Sequence, residues 1–128
     1  NRKTGAIRVT DVWCSHDCGQ VINPDGAINQ IEGGIVQTIS RTLLEELHFD
    51  RTHVTSTDWA SYPILRFPDV PRIHVSLINR PEMPVWGAGE MAPTVVPSAI
   101  SNAVFDATGV RLRSVPFLPA KVKAAGVA

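Results

Sequence analysis

The sequence predicts an α+β fold, with helices laid as a second layer on a small antiparallel or mixed sheet. Three observations predict it. Residues 6–14 and 72–79 alternate apolar and polar side chains at the period of a strand. Residues 27–47 and 93–108 carry apolar side chains at helical spacing. The four stretches follow as strand, helix, strand, helix within 128 residues, with no repeat, low-complexity tract or domain boundary between them. One domain over residues 1–128 is the expectation.

In the first strand Ile7, Val9 and Asp11 face one side, and Arg8, Thr10 and Val12 the other. Residues 17–26 read as a loop, and Asn23-Pro24-Asp25-Gly26 is a strong turn signal. From Ala27 the period changes. Ile28, Ile31, Ile35, Ile39 and Leu43 form one stripe, joined by Val36 and Leu47, so the helix is expected to end near Leu47. Gly33 and Gly34 lie inside it, at a cost of about 2 kcal/mol against alanine. Another backbone or a ligand passing close would explain them. Gln30 and Gln37 share roughly one face; Gln30 could reach a bound ligand, or simply be solvated.

Residues 49–57 are polar and read as a hairpin or loop, and residues 62–68 as extended, given Pro63 and Pro68. In the second strand Ile73, Val75 and Leu77 alternate with His74, Ser76 and Ile78. The second helix carries Val95, Val96, Ala99, Ile100, Ala103, Val104 and Ala107, with a stripe of small residues suited to tight packing, and Gly109 is its stop. Residues 112–118 form a basic and apolar segment, and residues 121–128 are expected to fray.

Twelve basic and twelve acidic side chains balance, which gives no electrostatic case for nucleic acid or an anionic membrane surface. No apolar run approaches the roughly 18 residues that span a bilayer. The chain begins Asn1-Arg2-Lys3 without an initiator Met, and reads as a piece of a longer protein. Cys14 and Cys18 bracket His16, but one such trio falls short of four zinc ligands, and His48, His53 and His74 are scattered. Along a strand the two cysteines would stand roughly 13 Å apart, too far for a disulfide. They read as reduced and partly buried, and as no metal site.

Glu90 ends the loop Trp86-Gly87-Ala88-Gly89-Glu90, just before the second helix. Gly87 and Gly89 let backbone approach a bulky ligand closely. A helix N-terminus offers free N–H groups and a partial positive charge, which favour an ionised carboxylate suited to general-base work. The plainer reading is a turn whose acid stabilises the helix.

Several stretches together, in one order along nearly the whole chain, resemble the C-terminal end of the molybdenum-binding subunit of the xanthine dehydrogenase/aldehyde oxidase family. They are Asp17-Cys18-Gly19-Gln20-Val21-Ile22-Asn23-Pro24, Gln30-Ile31-Glu32-Gly33-Gly34-Ile35-Val36-Gln37, Leu44-Glu45-Glu46-Leu47, Tyr62-Pro63-Ile64-Leu65-Arg66, Gly87-Ala88-Gly89-Glu90 and Ser101-Asn102-Ala103-Val104-Phe105-Asp106-Ala107-Thr108-Gly109. Within the family the likeness leans to bacterial aldehyde or isoquinoline oxidoreductases. Met91 departs from the proline that many members carry after the glutamate.

The resemblance implies a fragment of a larger molybdopterin-binding domain. It implies a hydroxylase that oxidises an aldehyde or an electron-poor N-heterocycle and takes its oxygen from water. The cofactor would be molybdopterin, in bacteria as the cytosine dinucleotide, with electrons leaving through iron–sulfur clusters on another domain or subunit. Glu90 would be the general base. Gln30 would hydrogen-bond near the metal, and Gly33, Gly34, Gly87, Ala88 and Gly89 would lie at the cofactor. Cys14 and Cys18 do not match the cluster-binding patterns. The partners implied are the rest of the subunit, the iron–sulfur component and a small-molecule substrate, in a bacterial cytoplasm or periplasm left open by the sequence. Alone, 128 residues are expected to be inactive. A reading of another class is a non-catalytic assembly module that keeps the fold and exposes Trp59, Tyr62 and Trp86.

Overall fold

Ile31, Ile35 and Ile39 stand one turn apart along a single helix, and all three are fully buried. They are the centre of the core. The computed structural model describes residues 1–127. Its elements are strand β1 (Asp11–Asp17), helix α1 (Pro24–Leu43), strand β2 (Arg72–Ile78), helix α2 (Met91–Thr108) and helix α3 (Pro119–Ala124). A short 3-10 turn, Phe67–Asp69, precedes β2.

Helix α1 starts before residue 27 because Asn23 caps it. The Asn23 Oδ1 accepts from the Gly26 N–H at 3.0 Å, and Pro24 takes a first-turn place where no N–H is needed. The four residues that read as a turn are therefore the helix's own first turn. It ends at Leu43 and not near Leu47: Leu44 is the C-cap, and Leu47 is exposed, so it adds nothing to the buried stripe.

The sheet has two strands and is parallel, Asp11 opposite Arg72 through Asp17 opposite Ile78. This corrects the antiparallel or mixed sheet expected from the sequence. The intervening helix is the reason: α1 and residues 44–71 carry the chain back to the starting end, as a parallel pair requires. The first strand is also shifted, from residues 6–14 to Asp11–Asp17. Pro71 has no N–H to offer, so the ladder opens with the Arg72 N–H donating to the Thr10 carbonyl at 3.0 Å. Residues 6–9 join no ladder, but Ile7 and Val9 pack against the core.

Val12, Cys14, Ile73, Val75 and Leu77 form the inner face of the sheet. Against it α1 packs with α2, which contributes Ala92, Val96 and Ile100 to the core. On the outer face Trp13 stacks on His74, ring centroids 5.1 Å apart, and Arg72 grips Asp11 with two hydrogen bonds of 2.7 and 2.9 Å. In the irregular segment a bridge pairs Phe49 with Val54, a hairpin in miniature.

The end of the chain is not frayed over residues 121–127. Val122 of α3 and Val127 are buried, and the Phe117 N–H donates to the Thr42 carbonyl at 2.7 Å, tying the segment to the end of α1. Among the described residues no helix is long and apolar enough to cross a membrane.

Candidate active site

The loop that carries Glu90 is pinned at both ends, each time on a glycine. At its start Val85 pairs with Gly19 in an antiparallel bridge, and the Trp86 N–H donates to the Cys18 carbonyl at 3.0 Å. Gly19 has φ of +75°, and a Cβ there would stand 2.0 Å from the Pro84 carbonyl oxygen and 3.1 Å from Cε3 of Trp86. Only glycine satisfies both demands. Asp17 braces the turn: its carboxylate accepts from the Gly19 N–H at 2.9 Å and meets Arg80 at 3.3 Å. The Gly19 N–H, and then the Arg80 guanidinium, hold that carboxyl below the usual carboxylate range. The Arg80 N–H in turn donates to the Gly19 carbonyl at 3.0 Å. Thus Asp17-Cys18-Gly19 is the anchor for residues 84–86.

At its end the loop meets α1. A Cβ on Gly34 would stand 2.9 Å from Cγ and 3.1 Å from Cδ of Pro93, and 3.6 Å from the Gly89 carbonyl oxygen. A Cβ on Gly89 would stand 3.5 Å from Nε2 of Gln30. The structure therefore brings Gln30, Gly34, Gly89 and the first turn of α2 together, although they come from helices half a chain apart. Gly33 and Gly87 have nothing within 4 Å of where a Cβ would be, and Ala88 is half-buried.

Glu90 is the N-cap of α2, with φ of −112° and ψ of −13°, and its side chain makes no capping hydrogen bond. The carboxylate is exposed and left free by the helix it precedes. The plainer reading of the sequence, an acid that stabilises the helix, takes no side-chain capping hydrogen bond here, while the carboxylate stands at the positive end of α2. Gln30 is exposed too, with its amide nitrogen at Gly89.

A large polar cofactor is compatible with this edge of the molecule. It offers a carboxylate, a primary amide and two stretches of backbone, at Gly33 and Gly87, that no side chain of the chain covers. It does not enclose one. A cavity of about 640 Å³ lies elsewhere, between residues 5–13 and the Ala99, Ala103 and Ala107 face of α2, and includes neither Gln30 nor Glu90. Among the described residues no group of three or more His, Cys, Asp or Glu side chains could hold a metal ion. Cys14 and Cys18 are free thiols; Cys14 is half-buried, and burial pushes its thiol up. Tyr62, a candidate for an exposed aromatic surface, is half-buried and donates its hydroxyl to Glu45 at 2.8 Å, whereas Trp59 and Trp86 are exposed.

Sequence reasoning missed Gly19 and Pro93 as parts of the site. Both act by shape and not by chemistry. The one signal in the sequence was Gly34 itself, a helix-interior glycine that asks for a close neighbour.

Residues 1–71 match the family model described as a molybdopterin cofactor-binding domain. This stretch contains Gln30, Gly33 and Gly34. Over 125 residues the chain is 43% identical to a nicotinate dehydrogenase subunit of Pseudomonas putida, in a match that covers 98% of the chain and 10% of that protein. It is 37% identical over 120 residues to the beta subunit of the isoquinoline 1-oxidoreductase of Brevundimonas diminuta, covering 94% of the chain and 15% of the relative. Its fold is similar to the crystal structure of quinoline 2-oxidoreductase from Pseudomonas putida 86, with a TM-score of 0.84 and 35% identity over 95% of the chain and 16% of that structure's chain. The chain thus spans between a tenth and a sixth of the length of these relatives.

Proposed function

This chain belongs to the molybdopterin cofactor-binding domain family of xanthine dehydrogenase and aldehyde oxidase type proteins, and on that premise we propose that it is the C-terminal part of the molybdenum-binding subunit of a hydroxylase. The substrate is an electron-poor N-heterocycle or an aldehyde, and water supplies the oxygen. Relatives named for nicotinate, isoquinoline and quinoline support the heterocycle. Molybdopterin, in its cytosine dinucleotide form, supplies when bound the redox chemistry that takes two electrons from the substrate. Iron–sulfur clusters on a partner domain or subunit carry those electrons away.

The observation that carries the reading is the Glu90 carboxylate, making no capping hydrogen bond to its own helix and following Gly89, where Gln30 approaches, on a loop pinned at both ends. Glu90 Oε takes up the proton released as oxygen is transferred to the substrate carbon. A base must be held rigidly within hydrogen-bond reach, and the two glycine anchors supply the rigidity. Gln30 orients the cofactor through its amide, the uncovered backbone at Gly33 and Gly87 lets the cofactor come close, Ala88 and Gly89 carry the loop past it, and Gly34 seats that loop against α1. Chemistry at the metal belongs to the cofactor; this chain supplies placement.

The test is Glu90→Gln in the full-length enzyme. Molybdenum content should be kept and turnover should fall at least about a hundredfold, the low end for loss of a general base. Turnover near that of the unaltered enzyme would refute the role. The isolated chain should hold no molybdenum and oxidise nothing, because the cofactor is gripped by segments beyond these 128 residues. Bound cofactor with turnover would refute that.

A further inference from the structure

We propose that Gly34 is a positioning residue, and that its contact with Pro93 sets where the Glu90 carboxylate stands. The inference rests on the reading of Glu90 as the base. A side chain at Gly34 would meet the chain on both sides of Glu90: the Gly89 carbonyl one residue before it, and the Pro93 ring three residues after it. Either contact alone would locate one neighbour. Together they fix the N-cap between them.

The first turn of α2 needs such a seat. Pro97 lies inside the helix, so the Pro93 carbonyl has no N–H four residues on to bond to. One rung of the helical ladder is therefore missing between the turn that follows Glu90 and the rest of α2. The position of that turn therefore depends on what it rests against, and it rests on Gly34. The proline ring can repucker at Cγ, but its Cδ, 3.1 Å from where a Cβ on Gly34 would be, is bonded to the backbone nitrogen and moves with the turn. A Cβ at Gly34, only 2.9 Å from Cγ of Pro93, moves the whole turn by several tenths of an ångström. Displacements of this size matter at a catalytic group, which must be held to within about 0.5 Å.

The experiment uses the full-length, molybdenum-loaded enzyme. Gly34→Ala should lower kcat by about tenfold to a hundredfold while KM and molybdenum content stay as they were. The amides of the first turn of α2 should exchange hydrogen faster. Pro93→Ala added to Gly34→Ala removes the obstructing ring and should restore both kcat and exchange to the level of Pro93→Ala alone. In a Glu90→Gln background, Gly34→Ala should cost nothing further, because it acts through a base no longer present.

Unchanged kcat in Gly34→Ala would overturn the proposal. So would a double variant no better than Gly34→Ala, or an equal loss with and without the Glu90 carboxylate. Should Gly34→Ala fail to accumulate, the double variant decides: loaded and active supports the seat, insoluble overturns it. If Glu90→Gln alone turns over normally, the base reading falls and this inference falls with it. Faster exchange in Gly34→Ala would then still report the contact, so the two failures are told apart.

Discussion

The carbonyl oxygen of Pro84 lies directly against Gly19, 2.0 Å from where a Cβ on that glycine would be. Gly19 also sits at φ of +75°, a region that costs a side-chain-bearing residue about 1–3 kcal/mol. Gly19→Ala meets both penalties, and backbone is the obstacle, so nothing can rotate away. We expect at least about 3 kcal/mol of destabilisation, read from urea unfolding of the chain. A loss under about 1 kcal/mol would mean that residues 84–86 are held by something else.

The cap of α1 makes a smaller and sharper prediction. Asn23→Ala removes the acceptor of the Gly26 N–H and should cost about 1 kcal/mol. Asn23→Asp keeps an acceptor there and should cost much less. Equal losses in the two variants would show that the cap is not what starts the helix.

Asp50 gives the chain a pH dependence. The Thr52 N–H, and then the His53 N–H, donate to its carboxylate and lower its pKa from 3.8 to about 2. The folded value lies below the unfolded one. Its contribution is therefore complete above pH 3.8 and is lost as pH falls through about 2. Asp50→Asn should be less stable than the natural chain at about pH 5, with the gap closing toward about pH 2. A gap that stays constant across that range would mean the turn at Asp50 does not couple to folding.

Periodicity along the chain located both long helices and the second strand, because those signals are local. Ile31, Ile35 and Ile39 announce the buried face of α1 without any knowledge of what covers it. Direction and register are not local. Whether β1 runs parallel to β2 depends on the return path through residues 44–71, and its first rung is set by Pro71, far from Thr10 in the sequence. Asn23-Pro24 was visible as a backbone event, but a turn and a helix start use the same residues. At the candidate site, Glu90 and Gln30 stand out in the sequence because they carry chemistry. Gly19 and Pro93 do not, because a residue that works by being small or rigid names no partner.

The C-terminal segment is a second place where local composition misled. Lys121 and Lys123 suggest a solvated tail, yet Val122 between them is 1% exposed. Val122→Ala should cost about 2 kcal/mol, the scale of losing a buried branched side chain. Thermal unfolding would show it as a fall in Tm. No change in Tm would return residues 121–127 to the status of a loose end.

Gly33 separates the isolated chain from the enzyme it is proposed to belong to. Nothing lies within 4 Å of where its Cβ would be, and its backbone is not among those with positive φ. In a helix interior alanine is then better than glycine by roughly 0.5–1 kcal/mol. Gly33→Ala should stabilise the isolated chain by that amount. In the full-length enzyme the same methyl group would stand where the cofactor approaches α1, and molybdenum content should fall. Opposite signs in the two settings would assign the open space to the cofactor. A variant that is stabilised in both, with molybdenum content unchanged, would remove Gly33 from the cofactor face and leave Gly34 as the glycine of that pair whose missing side chain serves the site.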